Sequence, residues 1–121
     1  MKITVDKKDK YTVIFLHEEK LISTLAPELK AQFVFFANQG ERNIVLDLKE
    51  TKYCDSSGLS AILVGNRLCK NSKGTFVLSG LQDSVMKLIN ISQLESVLNI
   101  VPKVEEAIDM VIMEEIEREI K

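Results

Sequence analysis

The chain has 121 residues, of which 45% are hydrophobic and 28% charged, and its formal net charge is -2. That length suits a single domain over residues 1–121, and that balance suits a globular fold that needs neither a disulfide nor a metal. The near-neutral charge excludes nucleic acid as an obligatory direct partner, two cysteines without CxxC spacing exclude a zinc site or a redox dithiol, and no apolar run approaches the roughly 18 residues of a membrane insertion. The charge is uneven along the chain. From Pro102 to Lys121 there are seven acidic and three basic residues, so the closing segment is acidic and the remainder slightly basic. The opening "MKITVDKKDK" is charged from the outset, which leads us to expect no signal peptide and a cytoplasmic location.

In chain order, Ile3–Val5 and Tyr11–Leu16 are β-rich runs joined by the polar "DKKDK", the pattern of a hairpin. After "HEEK" the period changes. Leu25, Leu29, Phe33 and Phe36 recur at helical spacing, with Ser23 or Thr24 as the expected cap and Gly40 as the stop. "NIVLDL", Asn43–Leu48, is a compact apolar strand whose continuous run implies burial on both faces. "ETKYC" connects it to "DSSGLSAILVGNRLCK", a helix with Leu59, Ile62, Leu63 and Leu68 on its apolar side. Thr75–Leu78 is the next strand. A short helix follows, starting near Asp83 or Ser84 and turning Val85, Leu88 and Ile89 inward, and then a brief strand, Val97–Val101. Pro102 suits the opening turn of the last helix, whose stripe is Val104, Ala107, Ile108, Val111, Ile112 and Ile116. The order β-β-α-β-α-β-α-β-α predicts an α/β fold. Its sheet has about five strands, mixed but mostly parallel, with about four helices and an antiparallel hairpin at one edge.

No enzyme constellation emerges. The single histidine, His17, lacks a serine or cysteine context for a triad and reads as structural or solvated. Neither a phosphate-binding glycine loop nor a metal-spaced cluster is present, so no cofactor and no metal are expected. The acid pairs Glu18-Glu19 and Glu114-Glu115 read as solvated faces.

The distinctive stretch is Asp55-Ser56-Ser57-Gly58 between the buried strand and the second helix. On a structural reading, Asp55 or Ser56 caps that helix and Gly58 permits close packing. On a functional reading, a hydroxyl in the first helical turn is exposed at the carboxyl end of a parallel strand, where such folds meet their ligands and partners. A phosphate there would face unpaired N–H groups and the positive end of the helix dipole.

In this context "NIVLDLKETKYCDSSGLSAIL", Asn43–Leu63, resembles the STAS domain family, and within it the bacterial anti-sigma factor antagonists. The element order resembles that family over nearly the whole chain. The resemblance implies a STAS-like fold and a protein-interaction domain rather than an enzyme. Ser56 would be the phosphoacceptor, and Asp55, Ser57, Gly58 and Leu59 the partner-binding loop, with Asp55 shaping it and Ser57 and Gly58 setting its turn. It also implies the partners: an anti-sigma factor serine kinase, bound by the unphosphorylated form so that a sigma factor is freed, and a PP2C-type phosphatase that reverses the phosphorylation. The sequence departs from the family at Glu19–Ile22, "EKLI", where Glu19 replaces a glycine and Ile22 an aspartate. The departure is read as leaving the acceptor loop untouched. The final helix is long, and Ile116 and Ile120 on its apolar side suit packing on a second chain as a homodimer. The competing reading is a STAS adaptor that is never phosphorylated, a subunit of a lipid-transport or stress-signalling complex.

Overall fold

The computed structural model describes residues 1–120. In chain order its elements are β1 (Ile3–Lys7), β2 (Thr12–Leu16), β3 (Lys20–Leu21), α1 (Ala26–Asn38), β4 (Ile44–Asp47), β5 (Tyr53–Cys54), α2 (Ser56–Asn71), β6 (Phe76–Ser79), α3 (Asp83–Ile91), β7 (Asn99–Val101) and α4 (Val104–Glu119). The main sheet runs β1-β2-β4-β6-β7. β1 and β2 form the antiparallel hairpin, with Ile3 opposite Leu16, and every other neighbouring pair is parallel. The α/β class and the five-stranded, mostly parallel sheet are as the sequence predicts.

Strand alternation divides the core in two. Ile14, Leu16, Ile44, Leu46, Phe76 and Leu78 point toward α1, α2 and α3. Val13, Val45 and Val77 point the other way, toward Ala107 and Val111 of α4. The apolar run of β4 is therefore buried on both faces, as its sequence implies. On the three-helix side, Phe33 and Phe76 meet edge to face at 5.6 Å between ring centroids. Gly65 of α2 lies against both rings, where a Cβ would stand 2.8 Å from each.

Several local expectations are corrected. Neither Ser23 nor Thr24 caps α1: Leu25 occupies the N-cap without a side-chain bond, and a turn closed by the Leu25 and Ala26 amides on the Ile22 carbonyl leads into the helix. Pro27 supplies the preset φ in the first turn. Pro102 lies before α4 rather than in its opening turn. Lys103 is the N-cap, and its amide donates to Glu106 Oε1 at 3.1 Å. β7 is shorter than expected and begins at Asn99, because Val97 and Leu98 close a turn on the Leu94 carbonyl.

The "EKLI" and "ETKYC" connections also form a ladder of their own. β3 pairs with β5 in parallel, Lys20 beside Tyr53 and Leu21 beside Cys54. Two residues per strand are too few for a hydrophobic period to register.

Candidate functional site

The site is built at the start of α2. Asp55 is its N-cap, with extended backbone, and the side-chain Oδ1 accepts from the Gly58 amide at 2.9 Å. Its other oxygen accepts from the Ser23 amide, and its own amide donates to the Leu21 carbonyl, each at 3.2 Å. One aspartate thus closes the helix and ties it to the segment leaving β3. The Glu19–Ile22 departure is consequently not remote from the Asp55–Leu59 segment: the Glu19 carbonyl accepts from the Lys52 and Tyr53 amides, and Leu21 backs Asp55 and Gly58.

Ser56 is the first residue of α2 and is exposed. Its amide belongs to the first turn, whose N–H groups have no partner within the helix. Ser57 is half-buried. Gly58 is buried in the third helical position, so it does not set a turn. It allows the close approach of β3, since a Cβ would stand 2.2 Å from the Leu21 carbonyl oxygen and 2.8 Å from Cys54 Sγ. Leu59 is 6% exposed and belongs to the core, so it supports the loop from beneath. Of the five residues in the motif, Ser56 is the one left fully at the surface.

Beside Ser56 runs a shallow groove of about 330 Å³, lined by Tyr53, Cys54, Asp55 and Ser56 on one side and by Ser84, Lys87, Leu88 and Ile91 of α3 on the other. The Ser84 hydroxyl donates to the Lys52 carbonyl and pins α3 to the approach of β5. Tyr53 and Ile91 are 52% and 73% exposed, an unusual pair of apolar groups beside an open hydroxyl. Burial, and secondarily the Asp55 carboxylate, pushes the Cys54 thiol up to about 12, so it supplies no nucleophile there. The contribution of α3 to this groove is legible in sequence only as Ile91, which falls outside the inward set of Val85, Leu88 and Ile89.

His17 bridges Thr4 Oγ1 at 2.7 Å and Glu50 Oε2 at 2.6 Å, a surface clasp between β1, β2 and the β4–β5 connection. At the opposite end of the sheet the expectation for Glu114-Glu115 fails. Glu115 is buried and takes hydrogen bonds from Arg42 at 2.5 Å, Arg118 at 2.8 Å and Asn43 at 3.0 Å. Bonding by Arg118, then Asn43 and Arg42, holds its carboxyl down at about 2. The signal for this cluster is Glu115's place four residues after Val111, on the inward stripe of α4. Among the described residues no group of three His, Cys, Asp or Glu side chains could hold a metal, and no helix is long and apolar enough to cross a membrane.

The description that matches this chain among known families is the STAS domain, over residues 2–107. A protein of Bordetella bronchiseptica named as anti-sigma factor antagonist BtrV is 33% identical over 92 residues, 76% of this chain and 78% of that protein. The solved structure of TM1081 from Thermotoga maritima, titled as an anti-sigma factor antagonist, is 25% identical and superimposes with a TM-score of 0.80, covering 90% of this chain and 93% of that one. SpoIIAA, titled as an anti-sigma factor antagonist, shares the fold in both its unphosphorylated and phosphorylated forms. The TM-scores are 0.72 and 0.71 at 21% and 22% identity, covering 91% of this chain and 97% and 99% of those. The sheet order and the helix set thus agree with these matches, and the chain belongs to the STAS domain family.

Proposed function

We propose that this chain is an anti-sigma factor antagonist whose docking surface centres on Ser56 and is switched off by phosphorylation there. The observation that carries this reading is the exposed Ser56 hydroxyl opening a 16-residue helix, inside an intact DSSGL, in a chain 33% identical to a protein named for that role. In the unphosphorylated state the uncharged Ser56 hydroxyl, with Tyr53 and Ile91, packs against an anti-sigma factor serine kinase, which then releases its sigma factor. The kinase transfers the γ-phosphoryl group of ATP to Ser56 Oγ. The O–P bond forms, ADP leaves, and the hydroxyl proton passes to the kinase. A PP2C-type phosphatase hydrolyses the ester and restores the docking form.

Physical chemistry supports a switch that acts on binding and spares the fold. A phosphate on Ser56 adds about -1.5 to -2 charges at the positive end of α2, where the helix tolerates an anion. The same charge must be desolvated against a partner that met a neutral hydroxyl. A hundredfold loss of affinity requires about 2.7 kcal/mol, and one unmatched dianion in an interface is sufficient. The solved phosphorylated form of SpoIIAA supports the compatibility of the fold with a phosphate.

The test is capture of partners from the native host's lysate with tagged wild type, Ser56→Ala and Ser56→Asp, quantified by mass spectrometry. The expected result is a serine-kinase-like anti-sigma factor recovered with wild type and Ser56→Ala and lost with Ser56→Asp, while thermal stability stays within about 1 kcal/mol. Ile22 stands where the family places an aspartate beside the loop, and this favours a second reading: a fixed adaptor in a lipid-transport or stress-signalling assembly. Equal recovery of one assembly by all three forms would establish that reading instead.

A further inference from the structure

One helix covers the second face of the main sheet. Five strands span about 20–24 Å and a helix about 10 Å, so a single helix cannot cover them all. α4 lies over β4, β6 and β7. On that face of β2 Val13 is buried, whereas Phe15 and, just before the strand, Tyr11 remain partly exposed. Next to this gap α4 leaves a second apolar stripe open, with Ile112 at 37%, Ile116 at 49% and Ile120 at 78% exposure. A hollow of about 160 Å³ between the stripe and the β1–β2 hairpin brings Lys10 to Ile112 and Ile116.

We propose that this face binds a second copy of the chain, with the two α4 helices side by side and parallel about a twofold axis that runs between them. Each α4 then lies beside the partly exposed Tyr11 and Phe15 of the partner, and the axis brings Ile112 and Ile116 onto their own counterparts. Charge selects a second copy over an unrelated protein. The acidic end of α4 and the hairpin loop carrying Lys8 and Lys10 lie at the same end of the sheet, joined within the chain by Lys10 and Glu119 at 3.3 Å. A twofold axis along the helices sets the hairpin of each protomer against the acidic end of the other helix. Lys8 now pairs with Asp6, but this contact is exposed on both sides and exchanges at little cost. Glu117 is exposed and forms no ion pair among the described residues. Ser56 begins a helix on the opposite face, so the dimer is independent of the switch.

Sedimentation of the full chain from about 1 to 500 µM tests the inference, a range that captures dissociation constants down to the micromolar level. The expected result is a monomer–dimer equilibrium that Ile116→Glu weakens by about a hundredfold, whereas Phe35→Glu, on the exposed side of α1, leaves it unchanged. Lys8→Glu weakens the dimer about tenfold, and adding Glu117→Lys restores it. Both positions are exposed, and circular dichroism confirms that each variant is folded. A monomer at every concentration, a dimer indifferent to Ile116→Glu, or no recovery in the double charge reversal would each overturn the inference.

Discussion

Gly58 stands against Leu21 so closely that a Cβ on it would lie 2.2 Å from the Leu21 carbonyl oxygen. That oxygen belongs to backbone held in the β3–β5 ladder and cannot move aside as a side-chain tip would. Alanine in a helix gains about 1 kcal/mol over glycine from propensity alone. The contact should outweigh this gain. Gly58→Ala is expected to destabilise by about 2 kcal/mol or more, measured as a lower urea midpoint with unchanged slope. A midpoint equal to wild type would mean that β3 is free to shift.

Asp55 joins the same two segments through its side chain. Asp55→Ala removes the N-cap bond to Gly58 and the bond to Ser23, and about 1–2 kcal/mol of stability is expected to go with them. Asp55→Asn keeps an acceptor for the cap and should cost less than half as much. Equal losses for the two variants would indicate that charge, rather than the cap geometry, is what the loop uses.

The large elements of this architecture are legible in the sequence because each carries its own period. The Ile44-Val45-Leu46 run and the recurrence of Leu29, Phe33 and Phe36 identify a buried strand and a helix without further information. The β3–β5 ladder is not legible, since Lys20 and Leu21 have no pattern until Tyr53 and Cys54 arrive beside them. Ser56 is recognisable from its neighbours, but its groove depends on where α3 docks and therefore on tertiary packing. Glu115 reads as solvated in the sequence because a carboxylate on an inward stripe becomes sensible only once Arg42 and Asn43, more than 70 positions away, are brought to it.

Glu115 sets an acid limit on stability. Its carboxyl is held at about 2 in the folded chain, against 4.5 for an unperturbed glutamate. A folded-state value below the unfolded one means that its contribution is fully present above pH 4.5 and is lost as pH falls from there toward 2. The loss is on the order of 2–3 kcal/mol. Denaturation at pH 5.5 and pH 2.5 should show this drop in wild type and a smaller one in Glu115→Gln, which should itself be less stable at neutral pH because Arg118 and Arg42 lose their counter-charge. Parallel pH profiles for the two proteins would assign the acid sensitivity elsewhere.

Cys54 borders the Ser56 groove and nevertheless should be inert. Its side chain is 6% exposed and that of Cys69 is 2% exposed, and burial pushes both thiols up to about 12. At pH 8 such a group is thiolate in about one molecule in ten thousand, and the thiolate is the reactive form. A disulfide reagent added to the folded protein is therefore expected to label the two thiols only as fast as the chain opens. The rate should rise with urea in step with the unfolded fraction, and Gly58→Ala, by losing about 2 kcal/mol, should accelerate labelling about 30-fold. Rapid labelling of one thiol in the native state would mean that the β5–α2 junction opens locally. The proposed docking surface at Ser56 would then be a mobile edge, with a binding cost for ordering that a rigid groove does not incur.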